Sequence, residues 1–504
     1  VRTELKPVEL SAALRTWTVV LMCTAVGLVI AMVTIVNAAL PAIGADTGAS
    51  QAEQTWIVDV YTLVLAALVL AAGALGDRHG RRGVLVAGLI VFALGSAAPM
   101  FVETPAWLIS TRAVTGLGAA MIMPATLSII NASFPPQRRG RAIGLWAAVA
   151  GLGGLGGLVL AGMLLQHFSW RSVFLAPAVI SVALAVASLT VPTSHDRDPR
   201  AFDIIGAVLS AAAIGTLVFG VLRVADLGWD HGLVLGSIAG GLVLFGLFVM
   251  VELRSTAPLL DMRLFRNAAF ATGSISVTVQ FTAGFGMFFA LAQYLQLVQG
   301  YSALKSGLAL WPIAVTLFPL SLLSAPLVRR FGLRTVTCAG LAVVIAGMVL
   351  IGQLDANSNY LSLAVAVCVL GAGIGVTAPA ATSAILDNVP PAQYGVASAV
   401  NDATREIGAA LGIALVGSVL SAVYSDSVTS AAAQLPPDAR EAAEESLVGA
   451  LVVASNSGPA GQALMTAARL SFVDGMRISM FVLAAVVLAG IAATTLLGNQ
   501  KRLS

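Results

Sequence analysis

The strongest constraint on this chain is a series of fourteen apolar runs separated by short polar breaks. They cover 17–43, 55–75, 84–102, 106–130, 142–165, 172–192, 204–225, 232–251, 270–297, 306–328, 335–353, 360–386, 397–423 and 477–497. A helix rises ~1.5 Å per residue, so about twenty apolar residues cross ~30 Å of hydrocarbon. Lipid offers no partner to a backbone amide, so spans of this length must be helices, and the ten-residue alternation of barrel strands is missing. The expected fold class is all-α, a polytopic membrane protein of fourteen transmembrane helices. With 58% hydrophobic and 10% charged residues and a mean hydropathy of +0.94, a water-soluble domain is excluded.

Charges are few and placed with order. Arg78, Arg81, Arg82, Arg138, Arg139, Arg141, Arg197, Arg200, Arg254, Arg263, Arg266, Arg329, Arg330 and Arg334 all fall in alternate loops. Arg2, Lys6, Arg15, Lys501 and Arg502 put both termini on that same side, which predicts cytoplasmic ends. Trp56, Trp107, Trp170 and Trp229 fall at the opposite helix ends, at headgroup depth. The first run is too long for a signal peptide, and no cleavage site follows it. A net charge of +3 gives no footing for nucleic acid. His79, His167, His195 and His231 lie in loops without ligand spacing, and the three cysteines lie in apolar runs, so neither a metal site nor a disulfide framework is expected.

The chain repeats itself. Leu75, Arg78, Gly80, Arg82, Val84 and Gly88 recur 252 residues later as Leu327, Arg330, Gly332, Arg334, Val336 and Gly340. Gly116, Gly118, Pro124, Pro135, Pro136 and Gly140 recur 255 residues later as Gly371, Gly373, Pro379, Pro390, Pro391 and Gly395. Helices 1–6 therefore match helices 9–14, and helices 7 and 8 are an insert. The expected units are a six-helix bundle over 1–192, the insert over 193–267 and a second bundle over 268–504. Duplicated bundles with substrate between them near the midplane are the architecture of rocking transporters. The stretch 424–475 is polar and Ala-rich, either a short helical cap or a solvated tether.

Few acids enter the spans, and an intramembrane charge costs at least ~2.5–3.5 kcal/mol, so those that do are site candidates. Asp59, Asp402 and Glu406 are the three, with Asp387 at a helix end. Asp402 and Glu406 stand four apart on one helix face. Such carboxyls can take up and release protons, or else favour a helix N-terminus. Arg405 is expected to point elsewhere and to pair with a neighbouring helix. Asp59, beside Tyr61, lies about one turn into helix 2, as a cation site or as a cap on amides. Arg112 needs acceptors, from carbonyls, Asn37 or Asp59. Phe281, Phe285, Phe288 and Phe289 on helix 9 and Trp311 on helix 10 form either an aromatic wall for flat cations or lipid-facing filler. On helix 5, Gly151, Gly153, Gly154, Gly156, Gly157 and Gly162 form a face for close approach, to helix 8 or to the other bundle.

Gly73-Ala-Leu-Gly-Asp77-Arg78-His-Gly80-Arg81-Arg82 resembles the signature loop of the major facilitator superfamily. Leu108-Ile-Ser-Thr-Arg112-Ala-Val-Thr-Gly116-Leu-Gly118 resembles its helix-4 motif. Thr34-Ile-Val-Asn37-Ala-Ala-Leu-Pro41 and the fourteen runs resemble the drug:proton antiporters of fourteen spans. Trp56-Ile-Val-Asp59-Val-Tyr61 and Glu444-Glu445-Ser-Leu-Val-Gly-Ala resemble the branch that exports quaternary ammonium compounds, dyes and fluoroquinolones. The resemblance implies a proton-driven exporter, not an enzyme, working by alternating access in the bacterial inner membrane. Its implied partners are hydrophobic and cationic drugs and dyes, protons and membrane lipid. It would act as a monomer, with no cofactor beyond the proton gradient.

By the same resemblance Arg112 tunes proton transfer. The loop with Gly73, Asp77, Arg78, Gly80 and Arg81 is either a conformational latch or, for its arginines, a topology signal. Asp59 and Tyr61, with Phe285, Phe288, Phe289 and Trp311, are the substrate-binding candidates. Asp402, Glu406, Arg112 and Asp59 are the coupling candidates, and Gly153, Gly157 and Gly162 stand in for the antiporter motif. Three positions depart from the family: Met32 and Leu317 replace acids, and Gly153-Gly154-Leu-Gly156-Gly157 lacks the proline. Competing expectations are an exporter dedicated to one metabolite, a symport importer, or a membrane enzyme, for which no nucleophile elbow or phosphate loop exists.

Overall fold

The computed structural model describes residues 11–101, 104–192, 202–433, 435–456 and 458–499. Arg2, Lys6, His195, Arg197, Arg200, Lys501 and Arg502 lie outside the described residues. Fourteen apolar helices form the body, numbered here in chain order. The first six are α1 (Ala12–Thr47), α2 (Gln51–His79), α3 (Arg81–Ala97), α4 (Pro105–Ser133), α5 (Pro136–His167) and α6 (Ser172–Ser188). The inserted pair is α7 (Ile204–Leu227) and α8 (Gly232–Arg254). The last six are α9 (Ala268–Gln293), α10 (Pro312–Phe331), α11 (Leu333–Gly352), α12 (Tyr360–Leu386), α13 (Tyr394–Ala432) and α14 (Gly458–Asn499). Thirteen are long and apolar enough to cross a membrane, whereas α6 is apolar but only 17 residues long.

Local chemistry sets the boundaries. Ser50 and Glu53 cap each other's amides in a capping box and start α2 four residues before its apolar run, so Asp59 sits about two turns in rather than one. The turns after α2 and α10 need a backbone that only glycine adopts readily. Gly80 has φ +100° and its repeat partner Gly332 has φ +83°, which explains why both halves keep the residue. Large apolar side chains such as Leu235, Leu242 and Val243 on α8 are exposed, as a lipid-facing surface requires.

The duplication reappears in the packing. α1 lies on α5, α3 on α4 and α2 on α4; likewise α9 lies on α13, α11 on α12 and α10 on α12. The halves meet in a matching pair of seams, α2 with α13 and α5 with α10. The inserted hairpin packs α7 against both α2 and α13, leaving α8 outside.

The stretch 424–475 is not a tether. α13 runs on to Ala432, helices Pro437–Glu445 and Leu447–Asn456 follow, and α14 begins at Gly458 rather than near 477. Ala443, Leu447, Ala450, Leu464 and Phe472 are buried in the core of the second half. Tyr424 donates its hydroxyl to the Ala443 carbonyl at 3.0 Å, closing the cap onto α13. Its alanines are the small faces that let these helices pack.

Candidate functional site

Of the buried charged side chains, Asp77, Arg81, Asp402 and Arg405 lie along the seam between α2, α5 and α13, whereas Arg112 lies inside the first half and Glu252 on α8. Near one end of α2 lies Gly73, whose missing side chain lets the Gly395 carbonyl and Ala399 of α13 approach. One turn further, Asp77 accepts the Gly395 N–H at 2.9 Å and the Val396 N–H at 3.0 Å. A carboxylate at the start of a helix satisfies amides that have no partner in their own helix. Arg81 donates to Asp77 Oδ1 through Nε at 3.0 Å and Nη2 at 2.6 Å, and Nη2 also reaches the Pro391 carbonyl at 2.6 Å. Both side chains are buried, while Arg78 is half-buried beside them. The Tyr394 ring lies 5.4 Å from the guanidinium of Arg81 and 5.4 Å from that of Arg139.

In the middle of the first half, Arg112 has no exposed surface. Its Nε donates to the Ile57 carbonyl at 3.0 Å, and its guanidinium lies 4.4 Å from the centre of the Tyr61 ring. Nη1 and Nη2 have no hydrogen-bond acceptor. Asn37 bonds its own helix instead, at the Val33 carbonyl. Met32 is fully buried in the apolar core and offers no acceptor. Tyr61 gives its hydroxyl to the Val29 carbonyl at 2.8 Å and is buried, so in this conformation it seats Arg112 rather than lining open space.

On α13, Asp402 is fully buried and Glu406 half-buried. Asp402 Oδ1 accepts from Asn401 at 3.2 Å, and Oδ2 has no partner. Arg405 does not reach a neighbouring helix for its counter-charge: its Nη1 lies 3.7 Å from Asp402 Oδ1, three residues back on its own helix. The i,i+3 spacing brings the two together where a one-residue step from Glu406 does not. Glu406 lies within electrostatic reach of Tyr61, across the seam. Asp59 is half-buried near the far end of α2, where Trp56 stacks on Phe219 of α7.

The aromatic candidates divide. Phe281 and Phe285 stack at 5.8 Å on the seam side of α9, while Phe288 and Phe289 pack against the core of the second half. Trp311 belongs with neither pair. It stands at the start of α10 in a separate groove of about 710 Å³, with Leu152, Val315, Phe318 and Tyr360. The glycines of α5 do not meet α8. A side chain at Gly153 or Gly157 would strike Ile30, Ala31 or Thr34 of α1, and Thr34 donates to the Gly154 carbonyl at 2.8 Å. Gly140, Gly144 and Gly151 face α10, and Gly162 faces Leu304, so these serve the seam between halves.

Sequence reasoning missed Trp146 and Glu252. Trp146 is an indole buried against Arg405, indistinguishable in sequence from filler. Glu252 is 2% exposed at the end of α8, one residue beyond its apolar run. Its Oε2 accepts the Leu260 N–H at 3.0 Å and its Oε1 has no partner. Among the described residues no group of His, Cys, Asp and Glu is arranged to hold a metal ion.

Two bundles of matching internal packing, joined by charged and glycine-lined seams inside an apolar shell, define a polytopic membrane transporter. A family model described as the Major Facilitator Superfamily matches residues 22–413, and the chain belongs to that family. It is 36% identical over 468 residues to the multidrug efflux pump LfrA of Mycolicibacterium smegmatis, covering 91% of this chain and 92% of that one. The methyl viologen resistance protein SmvA of Salmonella typhimurium is 34% identical, with 87% and 89% covered. The tetracenomycin C resistance and export protein of Streptomyces glaucescens is 31% identical, with 95% and 91% covered. The fold is similar to the human organic anion transporter MFSD10, at TM-score 0.62 and 14% identity over 94% of this chain and 99% of that one.

Proposed function

We propose that this chain is a proton-coupled exporter of hydrophobic and cationic compounds, including dyes, quaternary ammonium compounds and fluoroquinolones. It works as a monomer by alternating access in a bacterial inner membrane, with both termini cytoplasmic and with no cofactor beyond the proton gradient. The observation that carries this reading is Asp402: a fully buried carboxyl with one unpartnered oxygen, on the helix that contacts both halves. A group so placed takes up a proton when its side of the seam opens and gives it up after the halves exchange access. Kinship with proteins named for efflux and resistance gives the direction of transport. The Asp77–Arg81 cluster, closing α2 onto α13, serves as the latch, and Phe281 with Phe285 as the wall met by flat substrates.

Ethidium efflux from loaded cells tests the proposal. Expression should lower steady-state ethidium, and a protonophore should restore it. Efflux that survives full collapse of the gradient would sink the coupling. The second reading, export of one dedicated compound, is favoured by kinship with the tetracenomycin C exporter. It predicts protection against one compound only, with dyes left inside.

A further inference from the structure

Arg405 is 3% exposed, yet its Nε and Nη1 have no hydrogen-bond acceptor. The 3.7 Å from Nη1 to Asp402 is beyond hydrogen-bond length. The cation is held instead by aromatic faces. The Trp146 ring centre on α5 lies 5.1 Å from the guanidinium carbon, and the Phe281 ring centre on α9 lies 4.6 Å away. One face comes from each half of the molecule. Trp146 is oriented by its indole N–H, which donates to Thr126 at 3.1 Å. Phe281 stacks in turn on Phe285, so the seat continues into the aromatic wall of α9.

A guanidinium is a poor occupant for such a seat. It carries five N–H donors, and every buried donor left unmet costs free energy. Aromatic faces and the carboxylates of Asp402 and Glu406 attract positive charge but offer Nε and Nη1 no hydrogen bond. An organic cation without N–H groups would gain the same attraction and leave nothing unmet. We propose that Arg405 is a resident cation that occupies the Trp146–Phe281 seat beside Asp402, and that a cationic guest binds by displacing it. The inference rests on the export reading and deepens it, by naming the residue a guest competes with. Because the two rings belong to different halves, Arg405 and guest exchange when the seam parts. Arg405 thereby sets the affinity threshold that a cation must pass.

The test is equilibrium binding of tetraphenylphosphonium to the purified full-length protein in detergent, with uncharged triphenylphosphine oxide as control. Arg405→Gln should tighten tetraphenylphosphonium binding by about tenfold and leave the uncharged compound within about twofold. Trp146→Leu should weaken the cation about tenfold in both backgrounds. Unchanged or weaker cation binding by folded Arg405→Gln overturns the proposal. If that variant is not monodisperse, Arg405→Lys decides. A lysine ammonium is more strongly hydrated and stacks less well on rings, so it should compete less and the guest should bind more tightly. An unchanged affinity there overturns it equally. Binding is read without a gradient, so it separates from export. Tightening without any efflux in cells would sink only the export reading, and efflux with no tightening would sink only this one.

Discussion

Asp77 of α2 accepts the backbone N–H of Gly395 of α13 at 2.9 Å, across 318 residues of chain. The duplicated geometry has a second, equivalent junction, where Gly140 packs against Ala325 as Gly395 packs against Gly73. Gly395 lies 255 residues after Gly140 and Ala325 lies 252 after Gly73, the two offsets of the internal repeat. At the position 252 after Asp77 stands Arg329. The backbone approach is therefore symmetric, whereas the acid that caps the opposing helix is present once. Opening of the halves at this end has to break the Asp77 cap, which has no counterpart acid at the other junction.

Asp77→Asn should uncouple that contact from folding. An amide keeps one acceptor oxygen but loses the charge, and hydrogen bonds to charged groups contribute ~1.5–3 kcal/mol. Transport in vesicles should fall by about tenfold or more while binding of a ligand is kept. A matching drop in folded, membrane-inserted protein would show that Asp77 only holds the structure together.

On α13 the two acids should separate by cost. Asp402→Asn strips a buried guanidinium of its ion partner, and breaking a buried pair costs ~3–5 kcal/mol, so its melting temperature should fall. Half-buried Glu406→Gln should be tolerated. With both replaced, uphill efflux should vanish while downhill exchange in proteoliposomes continues. A double variant that still builds a gradient under an imposed pH difference would move coupling to Asp59 and Arg112.

Arg112→Met offers a split between stability and function. Two guanidinium nitrogens are buried without acceptors, and an apolar chain of similar length removes that penalty. The melting temperature should hold or rise, while proton-driven efflux drops at least ~tenfold. Intact efflux in a stable Arg112→Met protein would strike Arg112 from the coupling groups.

Neighbouring glycines on α5 should behave oppositely. A Cβ at Gly156 meets nothing within 4 Å, so Gly156→Ala should be neutral or slightly stabilising. A Cβ at Gly157 would press on Ala31 and Thr34, and Gly157→Ala should lower the melting temperature by several degrees, at about 1–3 kcal/mol of overpacking. Equal melting temperatures would mean that the α1–α5 seam gives way freely.

The candidate site was legible in proportion to how much each residue violates the expectation for lipid. Asp402, Glu406 and Arg112 stand out because a charge in hydrocarbon needs a reason. Trp146 and Phe281 do not, since an aromatic residue in an apolar run is ordinary whether it faces lipid, core or cation. For the same reason the aromatic wall divided once its helix was placed. Phe288 and Phe289 turned to the core, and Trp311 lies in a separate groove.

The sequence alone determined the class of the molecule, its spans, its duplication and its acids, because each follows from local physics. Run length meets bilayer thickness, glycine meets positive φ at Gly80 and Gly332, and a constant offset betrays a repeated unit. Only the tertiary structure decided which surfaces meet. Helical periodicity says that Gly153 and Gly157 share a side, but not that α1 rather than α8 covers it. Composition left 424–475 open between a helical cap and a solvated tether, and the packing of small alanine faces folded it into the second core. A charge's partner is likewise set by distance in space. Arg405 has Asp402 on its own helix and rings from both halves around it because α5, α9 and α13 converge there, and no local pattern encodes a convergence.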